Sequence, residues 1–108
     1  MNAWWLLGAA GALEIVMALA LKASQGWTRP WPSAIGLVAA VASLLLLTQA
    51  MRHLPAGTAY AVWTGIGGVG VAVLGIFVFG DSASPLRLLC IALIVAGIAG
   101  LRLLEAGS

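Results

Sequence analysis

The chain has 108 residues, of which 63% are hydrophobic and 7% are charged, with a formal net charge of +2 and a mean hydropathy of +1.13. A soluble domain of this length needs more polar surface than so few charges supply, so the apolar excess must face lipid. The basic residues are scattered singly, which excludes the clustered basic face of nucleic-acid-binding proteins, and a single cysteine excludes a disulfide framework.

Four apolar segments follow one another, and we expect each to be a membrane-spanning helix. They cover residues 3–21, 33–51, 57–79 and 86–104, and the short connections between them contain glycine or proline. Each segment is long enough to cross a hydrocarbon core of about 30 Å at a rise of about 1.5 Å per residue. Because lipid cannot satisfy open backbone groups, the segments must be helical. The sequence predicts an all-α integral membrane protein with a single domain over residues 1–108.

The first segment carries an acid, Glu14, in its middle, and lacks the positive region that precedes a cleaved signal sequence, so we interpret it as mature protein. An ionisable group at this depth is costly and indicates a functional site. Desolvation disfavours the carboxylate and a bound cation favours it, so a proton and a cation compete for the group. The alternative is a permanently protonated glutamate that joins helices. The positions three or four residues away, mostly small, leave room for a ligand or for a closely packed helix: Ala10, Gly11, Met17 and Ala18.

The second and third segments supply polar and aromatic groups. Ser43 is a candidate hydrogen-bond partner of the buried acid, although a lone serine often bonds its own helix backbone. Tyr60 and Trp63 share a helix face and suit a cation pocket, the alternative being interfacial anchoring. Gly65 and Gly67 belong to a G-x-G-x-x-G run, which inside a membrane helix does not indicate nucleotide binding. We expect these glycines to permit either a bend that changes between states or close helix packing.

The fourth segment contains a stripe of small residues that predicts helix–helix association, and Ala96, Gly97 and Gly100 are its candidate dimer contacts. Three Lys/Arg residues lie on the side of loops 22–32 and 80–87, against two on the other side. The positive-inside rule therefore has almost no bias to act on, and we expect copies inserted in both orientations. No metal-ligand spacing or nucleophile–base pair is present, so we predict neither an enzyme nor a cofactor.

Several motifs point to a known family. The short motifs Leu13-Glu14-Ile15-Val16, Leu21-Lys22, Gly26-Trp27-Thr28-Arg29 and Pro32-Ser33, with the longer run from Leu54 to Gly67, resemble the small multidrug resistance transporters over essentially the whole chain. The segment from Asp81 to Leu88 and the glycines of the third helix are similar to the guanidinium-exporter subtype.

The resemblance implies an antiparallel homodimer in a bacterial inner membrane that exports guanidinium-type cations in exchange for protons by alternating access. It implies that Glu14 of both protomers forms a shared binding site, which Ser43, Tyr60 and Trp63 line. Gly11 matches a small position beside the acid, and the fourth helix matches the one that supplies dimer contacts.

One departure from the subtype concerns specificity. Met17 stands where guanidinium exporters usually have tryptophan one turn after the glutamate. Methionine is flexible and tolerates varied partners, so we expect substituted guanidinium ions to be carried as well.

Three alternatives remain open at this stage. The chain could be a broad exporter of quaternary ammonium cations, or it could work only with a paralogous partner, against which the balanced charges argue. In a different class, it could be a non-transporting assembly subunit whose acid is structural or passes protons within a larger complex.

Overall fold

The structure, a computed structural model, describes residues 2–107 and the side chains of residues 2–104. Four helices follow in chain order, with no strand in the described range: α1 (Ala3–Ala23), α2 (Pro30–Ala50), α3 (Ala56–Val78) and α4 (Pro85–Gly107). Each of the four is apolar and long enough to cross a membrane. The prediction of an all-helical chain with four membrane-length helices is confirmed.

The helix ends differ from the expected positions by a few residues. Helix α2 begins at Pro30, three residues before the expected start at residue 33. Prolines fit there because the amide N–H groups of a first turn have no partner within the helix, so none is lost. Helix α1 begins at a cap in which the Oδ1 atom of Asn2 accepts a 2.8 Å hydrogen bond from the amide of Trp4.

Helix α1 is the central element of the fold. It packs along α2 and against α3, whereas the backbone of α4 approaches that of α3 alone among the described helices. The buried core is small and includes Leu7, Ala10, Leu47 and Val62. With overall dimensions of 46 × 35 × 18 Å, the molecule is thin, and no residue of the apolar stretch Pro85–Leu104 is buried. Most of its apolar surface therefore faces outward.

Two cation–π contacts join helix ends across the fold. The Nζ atom of Lys22 lies 4.8 Å from the ring centroid of Phe79, at the end of α3. The guanidinium carbon of Arg102 lies 5.0 Å from the ring centroid of Trp4, at the start of α1. Each contact lets a charged head stay near the membrane surface while its stem covers apolar groups. Both ends of α1 are therefore held by a contact with another part of the chain, and the middle of the helix lies between them.

Candidate functional site

Glu14 lies on the side of α1 that packs against α3. It is half-buried, and one of its carboxyl oxygens, Oε2, is buried and accepts no hydrogen bond from the described residues. A Cβ atom placed on Gly67 would overlap this carboxyl group, so the glycine is what allows α3 to approach it. A buried oxygen without a donor is expensive unless the group is protonated or a cation binds it.

A cleft of about 460 Å³ opens beside the Glu14 carboxyl group. It runs between α1 and α3 to the loop that joins α3 to α4. Its lining residues are Glu14, Ala18, Thr64, Gly67, Gly68, Val71, Ala72, Asp81 and Arg87. The cleft therefore connects the acid in the middle of α1 with a pair of charged side chains at its mouth.

Ser43 and Trp63 form a buried network with the backbone of α1. The hydroxyl group of Ser43 donates a 2.6 Å hydrogen bond to the carbonyl oxygen of Ala10 and accepts a 2.9 Å bond from Nε1 of Trp63. The expected bond between Ser43 and the Glu14 carboxyl is not the one formed in this structure. In an α-helix the carbonyl of residue 10 also receives the amide N–H of residue 14, so the network holds the turn of α1 that carries the acid.

The two aromatic residues of α3 differ in their surroundings. The rings of Tyr60 and Trp63 lie 5.4 Å apart between centroids and are tilted by 59°. Trp63 is half-buried and bonded to Ser43, whereas Tyr60 is 55% exposed. The prediction that the two rings lie on the same face of α3 is thus confirmed. A role of either ring in binding a cation stays a prediction.

The small positions of α1 serve different purposes in the protomer. Gly11 is buried, and a Cβ there would overlap the side chain of Ile66, so its space is used for helix packing rather than left free beside the acid. Ala10 supplies the carbonyl that Ser43 bonds. Met17 and Ala18 are half-buried, and of the two it is Ala18 that lines the cleft.

The candidate glycines of α3 contact neighbouring side chains, whereas those of α4 face open space. A Cβ at Gly65 would crowd Ile98 of α4, so both Gly65 and Gly67 permit close approach, and α3 remains helical through them. Bending at these glycines stays a prediction. A Cβ at Gly97 or Gly100 would meet no atom of the described residues within 4 Å beyond its chain neighbours and the backbone of its own helix. With the exposed Ala96, these positions leave space on the surface of α4, and their role as dimer contacts also stays a prediction.

Three polar side chains line the cleft besides Glu14, and sequence reasoning assigned a role to none of them: Thr64, Asp81 and Arg87. The hydroxyl of Thr64 bonds the carbonyl oxygen of Tyr60, one turn back in α3, at 2.7 Å. Asp81 and Arg87 lie 3.8 Å apart between Oδ2 and Nη2. The sequence does contain a signal for this pair. An acid precedes Pro85 and an arginine follows it, directly after the glycine-rich helix.

Comparisons with known proteins agree on one family. The family model described as Small Multidrug Resistance protein matches residues 2–94. A protein named Guanidinium exporter from Yersinia pseudotuberculosis serotype I is 58% identical over 101 residues, covering 94% of this chain and 97% of the relative. Guanidinium exporters from Citrobacter freundii and Salmonella typhimurium are each 57% identical over 100 residues, covering 93% of this chain and 95% of the relative. The range that the family model matches contains every residue of the cleft.

Proposed function

This chain belongs to the small multidrug resistance family, and from that membership we propose that it exports guanidinium ions across a membrane in exchange for protons. The relatives that carry the name Guanidinium exporter match nearly its whole length. The observation that carries the proposal is the Oε2 atom of Glu14, a carboxyl oxygen buried beside an open cleft without a hydrogen-bond donor among the described residues.

Guanidinium suits this group chemically. It is planar and positively charged, and its N–H groups point in parallel pairs that match the two oxygens of a carboxylate. A proton neutralises the same carboxyl group and excludes the cation. Because an unneutralised carboxylate is costly at this depth, only the protonated or the cation-bound form crosses between the two sides. This exclusion couples guanidinium export to proton import.

The working unit is an antiparallel homodimer in a bacterial inner membrane. The thin protomer and the unburied α4 leave a large apolar face for a second copy. Two oppositely inserted copies would bring two Glu14 carboxyl groups to one site and reproduce the inverted repeats of larger transporters. Two protons or one guanidinium ion would then occupy the pair in turn. A C-terminal reporter detected on both sides of the membrane supports this arrangement, and a reporter found on one side alone contradicts it.

The direct test is guanidinium flux in proteoliposomes that contain the purified protein. An imposed proton gradient should drive guanidinium uphill in the wild type and not in Glu14→Gln, which keeps the side-chain shape but cannot exchange a proton. The same assay with tetra-alkylammonium ions measures the flux that the alternative function, export of a broad range of cations, predicts. If dimeric, folded protein moves tetra-alkylammonium and no guanidinium, the proposed cargo is wrong.

A further inference from the structure

The loop between α3 and α4 places an acidic side chain at the mouth of the Glu14 cleft. The chain reverses at Gly80, whose φ of +70° is in the region that favours glycine, and the amide of Asp81 then donates a 3.1 Å hydrogen bond to the carbonyl oxygen of Gly75. The Oδ2 atom of Asp81 lies so close to Gly75 that a Cβ there would overlap it. The carboxyl group of Asp81 is thereby held over the end of α3, facing the cleft.

Arg87 faces the same space from the first turn of α4. Its Nη1 atom donates a 2.6 Å hydrogen bond to the carbonyl oxygen of Ser82, while its Nη2 atom lies 3.8 Å from the Oδ2 atom of Asp81. The side chains of Arg87 and Asp81 are 31% and 39% exposed. The backbone carbonyl, rather than the carboxylate, therefore holds the guanidinium group of Arg87. Because a carboxylate has about four acceptor positions, Asp81 keeps capacity for another donor.

The side chain of arginine ends in the same planar cation that the proposed function assigns as cargo. We propose that Asp81 is an outer binding site for the guanidinium ion, and that Arg87 is a tethered competitor for it. An arriving ion binds the Asp81 carboxylate on the side that faces the Nη2 atom of Arg87, displaces that atom, and then passes along the cleft to Glu14. Arg87 stays bonded to Ser82 during the exchange, so the mouth of the cleft returns to charge balance when the ion leaves. The identity of the ion rests on the proposed function; the site itself rests on the cleft.

The alternative is that the Asp81–Arg87 pair only fastens the loop to α4. The two roles predict different changes in guanidinium binding when each partner of the pair is removed. If the pair is a fastener, removal of either partner loosens the loop and changes guanidinium binding in the same direction. If Arg87 competes with the cargo, removal of Asp81 weakens guanidinium binding and removal of Arg87 strengthens it.

The test measures equilibrium binding of radiolabelled guanidinium to purified, full-length protein in which Glu14→Gln has removed the inner carboxylate. We expect weak binding that added salt reduces. Adding Asp81→Asn should abolish this residual binding. Adding Arg87→Gln should tighten it about two- to fivefold, the factor that a half-exposed ion pair is worth. Arg102→Gln is the matched control, since it removes an arginine far from the cleft, and it should leave binding unchanged.

Two outcomes overturn the outer site: residual binding that is equal with and without Asp81→Asn, or weaker binding in the Arg87→Gln background. Absence of any binding in the Glu14→Gln protein overturns it as well. Failure of the proposed function is a separate result, because it appears as absent proton-driven guanidinium flux in the wild type. In transport assays the outer site predicts that Asp81→Asn raises the KM for guanidinium with little change in the maximal rate.

Discussion

Gly67 of α3 lies directly against the carboxyl group of Glu14 on α1, with no room for a Cβ atom between them. This contact brings the second wall of the cleft to the acid. Any side chain at residue 67 must push the carboxyl group away or separate the two helices. The position of the Glu14 carboxyl group therefore depends on the absence of a side chain at Gly67.

Gly67→Ala should reduce guanidinium transport by about tenfold or more, because a displacement of the binding carboxyl group by about 1 Å is enough for such a loss. The measurement is guanidinium uptake into proteoliposomes with a matched amount of folded protein. Gly68→Ala is the control, since a Cβ at Gly68 would approach no neighbouring helix within 4 Å in the part of the chain that the structure describes. Both changes alter helix propensity equally, so equal transport by the two variants contradicts the role given to Gly67.

Ser43→Ala should reduce transport by about two- to tenfold, which is less than the complete loss expected for Glu14→Gln. The change removes a hydrogen bond to the Ala10 carbonyl and the acceptor of the Trp63 indole N–H, and a neutral bond contributes about 0.5–1.5 kcal/mol. The measurement is the initial rate of guanidinium uptake. Ser33→Ala is the control, because the Ser33 hydroxyl bonds only the local carbonyl of Arg29 among its described contacts. A Ser43→Ala rate equal to that of the control would show that the network does not position Glu14.

Guanidinium should bind more tightly as the pH rises. The proton and the cation compete for the Glu14 carboxyl group, so removing protons lowers the apparent Kd. The decrease reaches about tenfold per pH unit for each proton displaced, and it ends when the site is fully ionised. Among the described residues, the other titratable side chains that line the cleft are Asp81 and Arg87. Titration calorimetry in buffers of different ionisation enthalpy counts the protons released. A Kd that is independent of pH, with no proton release, contradicts the exchange.

The helices and the acid could be predicted because a single physical constraint determines them. Lipid requires continuous apolar helices with internal hydrogen bonds, so four long runs indicate four helices whatever their packing. The same constraint makes Glu14 conspicuous. Packing does not follow from composition in this way, since all four helices have apolar residues on nearly every face.

The contacts that the site residues make depend on packing, so the sequence named candidates without determining their partners. Ser43 was one candidate partner of the acid, and its hydroxyl group instead donates to the carbonyl of Ala10, on the turn of α1 that faces α2. For Gly11 the sequence left open a ligand or a closely packed helix, and in the structure Ile66 of α3 packs against it. Asp81 and Arg87 lie on a loop whose fold back onto α3 depends on the turn at Gly80 and the contact with Gly75. A sequence shows that such residues are present but not which helix they meet.

Met17→Trp should narrow the range of transported cations. Met17 does not line the cleft, but it lies one turn after Glu14, and a rigid indole there would reach further toward the acid than the flexible methionine does. We expect the ratio of guanidinium to alkyl-substituted guanidinium transport to rise by about tenfold, within the range that one pocket contact can supply. Solid-supported membrane currents for both ions on one preparation measure the ratio. Met17→Leu keeps the size and apolar character and should leave the ratio unchanged. An unchanged ratio in Met17→Trp means that this side chain does not face the cargo.

Gly97→Leu combined with Gly100→Leu should shift the protein from dimer to monomer, because the small-residue stripe of α4 is the surface proposed to contact the second copy. In the protomer a Cβ at either glycine meets open space, so the folding of a single copy should tolerate both changes. Light scattering in detergent across a dilution series measures the dimer dissociation constant, and helical content by circular dichroism checks the fold.

Gly8→Leu is the matched control, since Gly8 of α1 is also open within the protomer but lies outside the stripe. Transport should fall in parallel with dimer content, because the proposed site needs the Glu14 carboxyl groups of both copies. A double variant that stays dimeric and active moves the interface to another face of the protomer.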